Sequence, residues 1–180
     1  MEISRMFRWI VLVLSFQVIA PIAHSQLIEV DGGIGYSAVN ITSWSSVEPN
    51  DWNNLSGFAT AQGFYRINKT ISVGISAGFH HLFWYEYKDY YDYWYSKEVN
   101  AARITALTRF HFGRNFVDVG AGPFIFNDFV DFAVVASYGY AFKLTDKLSL
   151  PIKVNCSVIF DSDASVVPFT ISTGLSYRIK

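Results

Sequence analysis

Residues 132–160 read Phe-Ala-Val-Val-Ala-Ser-Tyr-Gly-Tyr-Ala-Phe-Lys-Leu-Thr-Asp-Lys-Leu-Ser-Leu-Pro-Ile-Lys-Val-Asn-Cys-Ser-Val-Ile-Phe. Every second position is apolar: Phe132, Val134, Ala136, Tyr138, Tyr140, Phe142 and Leu144, then, past the polar Thr145-Asp146-Lys147, Leu148, Leu150, Ile152, Val154, Cys156, Val158 and Phe160. The positions between them are mostly small or charged, among them Ser137, Gly139, Ala141, Lys143, Ser149, Lys153, Asn155 and Ser157. Successive side chains of a strand point to opposite faces, so two such arms around a tight polar turn read as a β-hairpin. Each arm exceeds the about 5–6 residues usual in soluble domains and meets the roughly 9–11 that a tilted strand needs to cross a bilayer.

The same alternation runs outward through the rest of the chain, and helical periodicity is nearly absent after residue 26. Strands are expected near 27–39, 55–67, 71–85, 99–112, 116–126, 132–144, 148–160 and 167–179. Their connections alternate in length. Asn68-Lys69-Thr70, Arg114-Asn115 and Thr145-Asp146-Lys147 are tight turns, whereas 40–54, 86–98, 127–131 and 161–166 are longer links. That rhythm, with an even strand number placing both termini at the short-turn end, is that of an up-and-down barrel. Pro123, Pro151 and Pro168 fall inside or at the start of strands, where a bulge or strand end is expected because proline cannot donate to a ladder.

Volume decides which face is inside. An eight-stranded barrel has a bore just wide enough for side chains to fill. The apolar face, with Ile28, Val30, Ile34, Tyr36, Ile71, Val73, Ile75, Phe79, Phe83, Phe110, Phe112 and their like in the remaining strands, is too bulky for it. The opposite face, rich in Gly, Ser and Thr, fits. The apolar face therefore points outward, and the solvent that suits it is lipid, in which only a closed sheet leaves no unpaired edge. The expected fold class is all-β, an eight-stranded antiparallel up-and-down transmembrane β-barrel. Aromatics near both ends, Tyr65, Phe110, Phe112, Tyr140, Phe142 and Tyr177 at one and Phe83, Tyr85 and Phe160 at the other, suit two interfacial girdles.

The amino end carries Arg5 and Arg8, an apolar run from Trp9 to Ala23 and small residues at Ala23 and Ser25. This is the pattern of a cleaved export signal over 1–25, leaving 26–180 as one barrel domain. In the 180-residue chain 14 Lys and Arg stand against 15 Asp and Glu, which argues against a basic nucleic-acid binder. The single Cys156 excludes a disulfide framework within one chain, and no cofactor or metal is expected: His80 and His81 are adjacent in a strand and point apart.

With the signal, the eight strands, the Gly-rich inner face and the strand Val117-Asp118-Val119-Gly120-Ala121-Gly122-Pro123-Phe124, the chain resembles the small bacterial outer-membrane β-barrel family of OmpA/OmpX type over essentially all of 26–180. The resemblance implies an outer-membrane location, a lipid environment and handling by the barrel-assembly machinery. Family members commonly end in an aromatic residue, whereas here the last aromatic, Tyr177, lies three positions inward.

Three places are candidates for function. Inward charges cluster near the short-turn end. Glu29 and Asp31 are expected to flank Arg66 and Arg178, and Asp118 to lie between Arg109, His111 and Lys143 with His111 directly opposite it. This network reads as a structural ion plug, since unpaired charge in a narrow bore is costly; the alternative is a narrow conduit, anion-preferring because bases outnumber acids on that face. The second place is His81, outward near the loop end, where barrels that this chain resembles and that modify lipid A carry catalytic histidines; here neither a serine partner nor an orienting carboxylate is evident. The third is the aromatic link at 84–95, in which Tyr90, Tyr91, Tyr93 and Trp94 offer rigid amphipathic contact area for an unidentified surface ligand. The overall expectation is a non-enzymatic, monomeric structural or surface-interaction protein.

Overall fold

The period-two segments become strands in the computed structural model, which describes residues 27–41, 51–88, 94–160 and 164–179. The strands are β1 (Leu27–Ile41), β2 (Asp51–Asn53), β3 (Leu55–Arg66), β4 (Ile71–Lys88), β5 (Trp94–Phe112), β6 (Asn115–Ile125), β7 (Val130–Lys143), β8 (Leu148–Phe160) and β9 (Ala164–Tyr177). Only Asn54 separates β2 from β3, and both pair with β4, so they form one arm. All pairings are antiparallel. β1 pairs with β9, and β4 with β5, which closes the eight arms into a barrel with no open edge around its girth. The expected export signal and Tyr90, Tyr91 and Tyr93 lie outside the described residues.

The exterior is apolar. Ile34 is 72% exposed and Ile171 63%, and Val154, Leu175, Phe79 and Tyr138 stand out beside them. A continuous apolar belt of this kind belongs in lipid, and the structure is an eight-stranded transmembrane β-barrel.

The interior is less polar than the alternation implies. Phe64, Phe116 and Phe124 point inward and are buried, with Leu107, Val135 and Ile159. Small neighbours make the room: a Cβ on Gly74 would lie 2.7 Å from Phe64, one on Gly120 2.6 Å from Leu107, and one on Gly139 2.3 Å from Phe116. The bore is thus filled by large side chains set against glycines rather than by small ones throughout.

Four details depart from the expected strands. The β5–β6 turn is Gly113-Arg114, flanked by the pair Phe112↔Asn115, not Arg114-Asn115. Gly113 has φ 69°, and two-residue hairpin turns that match strand twist need positive φ at their first central residue. This shift places Arg109, not His111, opposite Asp118, and His111 opposite Phe116. Secondly, the register between β4 and β5 slips between His81 and Phe83, with Leu82 as the extra residue. That bulge turns Phe83 into the interior, where it is 6% exposed, instead of onto the outer girdle. Thirdly, the prolines cause neither bulges nor strand ends. At Pro123 the ladder to β5 skips two pairs and resumes in the same register while the ladder to β7 continues. At Pro151 the ladder to β9 does the same, and Thr173 Oγ1 donates to the Pro151 carbonyl at 3.1 Å; at Pro168 the ladder to β8 skips likewise. Fourthly, β4 and β5 run on as a paired hairpin to Lys88↔Trp94, through most of what reads as a link.

The remaining short turns follow from their side chains. Asn68 Oδ1 accepts from the N–H groups of Thr70 and Ile71, both at 2.8 Å, and closes β3–β4. Thr145 Oγ1 accepts from Leu148 N at 3.0 Å and closes β7–β8. Across that turn Lys143 pairs with Asp146 at 2.6 Å, and this hydrogen bond holds the exposed Asp146 carboxyl below its usual range.

Candidate functional site: a charge cluster across the bore

Inward positions on β1, β5, β6 and β8 converge on Arg109. Its Nη1 and Nη2 donate to Glu29 Oε2 and Oε1, each at 3.0 Å, while Nε and Nη2 donate to Asp118 Oδ1 and Oδ2 at 2.6 and 2.8 Å. The guanidinium carbon lies 4.1 Å from the Phe64 ring centroid and 4.0 Å from that of Phe116. A planar cation therefore has carboxylates along its edges and aromatic rings against it, which desolvated cation–π geometry rewards by about 2 kcal/mol. Lys153 extends the cluster, with Nζ 2.8 Å from Glu29 Oε1 and 2.5 Å from Asp31 Oδ2. Asp31 Oδ1 accepts from Thr60 Oγ1 and Gln62 Nε2, and Asp118 Oδ2 accepts from Ser137 Oγ.

Of the residues that the sequence singles out for a lumen network, the structure brings together Glu29, Asp31, Arg109 and Asp118. It does not bring in the other four. Arg66 donates to the turn carbonyls of Asn68 and Lys69, His111 Nε2 lies 2.9 Å from Ser72 Oγ, Lys143 bonds Asp146 outside the bore, and Arg178 lies past the end of β9 at the mouth. Lys153, Phe64 and Phe116 complete the cluster instead. Each shares the parity of the inner face, which is the signal that points to them.

Among the described residues the buried carboxylates are Glu29, Asp31 and Asp118, and the buried cations are Arg103, Arg109 and Lys153. The formal charges cancel. The surplus of bases that would favour anions sits at the mouth and not in the bore. Among the described residues the short-turn rim carries Arg66, Lys69, Arg114, Lys143, Lys147 and Arg178 against Asp146 alone. At the opposite end the described charged positions are Asp51, Glu86, Glu98, Asp128 and Asp131 against Lys88 and Lys97.

On the outer wall His81 Nδ1 is 2.9 Å from Asn100 Oδ1, and Asn100 Nδ2 is 3.4 Å from Glu98 Oε2. His81 is thus oriented by an amide with a carboxylate behind it, a chain that the sequence does not reveal. A nucleophilic role would need a hydroxyl hydrogen-bonded to the ring, and none among the described residues is. Of the aromatic link, Trp94 opens β5 opposite Lys88.

No family model matches the chain, and no curated protein matches it in sequence. Solved structures do match. The outer membrane protein OprG from Pseudomonas aeruginosa superposes with a TM-score of 0.58 at 11% identity, covering 87% of this chain and 97% of that one. Neisserial surface protein A (NspA) superposes with a TM-score of 0.51 at 11% identity, covering 84% and 97%. At these identities the likeness is one of fold, that of the small outer-membrane β-barrels.

Proposed function

We propose that this chain is a bacterial outer-membrane protein whose bore is closed by paired charges and whose working surface is the β4–β5 hairpin. One observation carries this reading. β6 leaves β5 at Ala102↔Ile125, whereas β4 accompanies β5 to Trp94, so among the described residues the stretch from Trp94 to Ala101 pairs on one side only. At about 3.3 Å per residue this is up to roughly 25 Å of strand with an unpaired backbone edge. The neighbouring β6–β7 link is short, closed by Phe126 N bonding to Phe129 O at 2.9 Å and by stacking of the two rings, so nothing of similar length flanks that edge among the described residues.

In such barrels the longer connections face outward and the short turns face the periplasm. The hairpin edge then offers strand addition to an extended segment of a partner polypeptide, with main-chain bonds giving affinity and side chains giving choice. The acidic residues of this part of the sequence favour a basic partner, and the link residues Tyr90, Tyr91, Tyr93 and Trp94 are the aromatic side chains that would supply contact area to it. Lipid and the assembly machinery are the other partners of this reading, and no cofactor enters it.

The test joins Phe83 to its ladder partner Val99 through Asn-Gly, removing 84–98, and separately replaces Tyr90, Tyr91, Tyr93 and Trp94 by alanine. Both variants are compared with the native protein for binding to host cells, glycans and immobilised basic peptides. Loss of binding in the shortened protein is expected; equal binding by all three would sink the proposal. Lipid A from a strain lacking the protein is expected to be unchanged, and altered acylation would transfer the assignment to an enzyme acting through His81.

A further inference from the structure

The short-turn mouth holds a cup of about 210 Å³, floored by Phe64 and walled by Leu27, Arg66, Ser72, His111, Arg178 and Ile179. The Arg66 guanidinium is fixed by two turn carbonyls, Nε donating to Asn68 O at 3.0 Å and Nη2 to Lys69 O at 2.7 Å. Neutral acceptors hold its position without cancelling its charge. Among the described residues no carboxylate pairs with Arg66 or Arg178. Glu29, Asp31 and Asp118 are engaged beyond the Phe64 floor by Arg109 and Lys153, and Asp146 by Lys143. The exposed Lys69, Arg114 and Lys147 on the surrounding turns raise the positive potential further.

We propose that this cup binds a phosphate group. Arg178 offers a planar fork of donors that matches the spacing of phosphate oxygens, and Arg66, with Nε and one Nη2 hydrogen given to the turn carbonyls, offers its remaining Nη hydrogens. The Ser72 hydroxyl and the His111 ring stand beside them, and no acidic side chain lines the wall to repel an anion. Two cations lining one cup with no carboxylate beside them make it attractive to an anion. Size limits the ligand. Pockets for drug-sized molecules span roughly 300–1,000 Å³, so this one accepts a free phosphate or a single headgroup and not a sugar chain. The same chemistry can arrive as a soluble phosphate or as the headgroup of an anionic phospholipid in the adjoining leaflet.

The experiment uses the full barrel in alkyl maltoside micelles, which contain no phosphate. Inorganic phosphate is titrated calorimetrically against a chloride background of matched ionic strength. Saturable binding is expected, weakened about tenfold or more by Arg66→Gln with Arg178→Gln, as the loss of charge-assisted hydrogen bonds implies. Arg114→Gln with Lys147→Gln, which alters rim charge but not the cup, is expected to change it less than about threefold. Binding that is absent, or weakened equally by both double variants, overturns the proposal, the latter because rim charge alone would explain it. If Arg66→Gln fails to fold because that residue ties the β3–β4 turn, Arg178→Gln alone carries the test, and native affinity in it overturns the proposal. A final comparison sets phosphatidylglycerol in mixed micelles against soluble glycerol phosphate. Tighter binding of the lipid identifies a headgroup site, and equal binding a site for a soluble phosphate; either result supports the cup.

Discussion

Replacing Arg109 by methionine tests whether the bore is held by charge pairing or merely occupied. The native guanidinium makes four hydrogen bonds, two to Glu29 and two to Asp118, and is 2% exposed. Methionine fills much of the volume between Phe64 and Phe116, so the loss is chiefly electrostatic. The two carboxylates then fare differently. Glu29 keeps Lys153 at 2.8 Å, but Asp118 keeps only the Ser137 hydroxyl at 3.2 Å. Asp118 becomes a buried charge without a cation, and breaking a buried pair from one side costs about 3–5 kcal/mol. At 1.4 kcal/mol per decade that lowers the folded-to-unfolded ratio by at least about a hundredfold. The companion variant Arg109→Met/Asp118→Asn removes the stranded charge as well, and most of the loss is expected to return, leaving a deficit of about 1–2 kcal/mol for the hydrogen bonds not replaced. Urea titration of protein in lipid vesicles, read by the heat-modifiable gel mobility of folded barrels, measures both. A single variant within about 1 kcal/mol of native would show that water already reaches the cluster and would refute the reasoning, as would a double variant no better than the single.

Further outcomes use the same unfolding assay. Val154→Arg, on the lipid face beside Tyr138 and Ile171, is expected to cost about 2–4 kcal/mol if it lies near the bilayer centre; a negligible cost would place that wall in water. Gly113 has open space around its Cβ position, so Gly113→Val is opposed by its φ of 69° alone and should cost about 1–3 kcal/mol, with Gly113→Asn much milder; equal effects would mean that sterics, not backbone, decide there. Gly139→Val would put a Cβ 2.3 Å from Phe116 and 2.9 Å from Lys153, two members of the cluster, and is expected to cost about 1–3 kcal/mol or more through overpacking; native stability would show that Phe116 has room to move.

How much of this was legible before the structure depends on the range of each interaction. Strand existence and outward face are local properties, repeated at every second residue, and Val154 or Ile171 could be assigned from neighbours alone. Pair partners depend on turns, and there one residue mattered: reading the turn as Arg114-Asn115 rather than Gly113-Arg114 set His111 against Asp118 and left Arg109 two positions away. Phe83 was misplaced for a similar reason. Nothing in His80-His81-Leu82-Phe83 announces an extra residue, and a bulge inverts the parity of everything after it. Contacts across the bore lie further out of reach. Glu29 meets Arg109 and Lys153 from strands that are not its neighbours in the sheet, and which residues share a level depends on the stagger of the closed barrel.

That stagger is where the interior charges matter most. Lipid offers the same environment to any apolar side chain at a given depth, so a slip of two residues between adjacent arms would keep every outward residue outward and cost the exterior little. Inside, the same slip would part Arg109 from Asp118 and leave both buried. Inner charges therefore discriminate between registers that the outer belt tolerates equally, a role in which buried ionic groups are best attested. A network and an isolated pair respond differently to exchange of partners. Exchanging the two residues, Arg109→Asp with Asp118→Arg, preserves a local ion pair on β5 and β6 but sets an aspartate against Glu29, so the exchanged protein should fold poorly. Exchanging Lys143 and Asp146 at the exposed turn, where no third group takes part, should leave folding as it was. Efficient folding of the first exchange would mean that the β5–β6 pair acts alone and that contacts across the bore do not select the register.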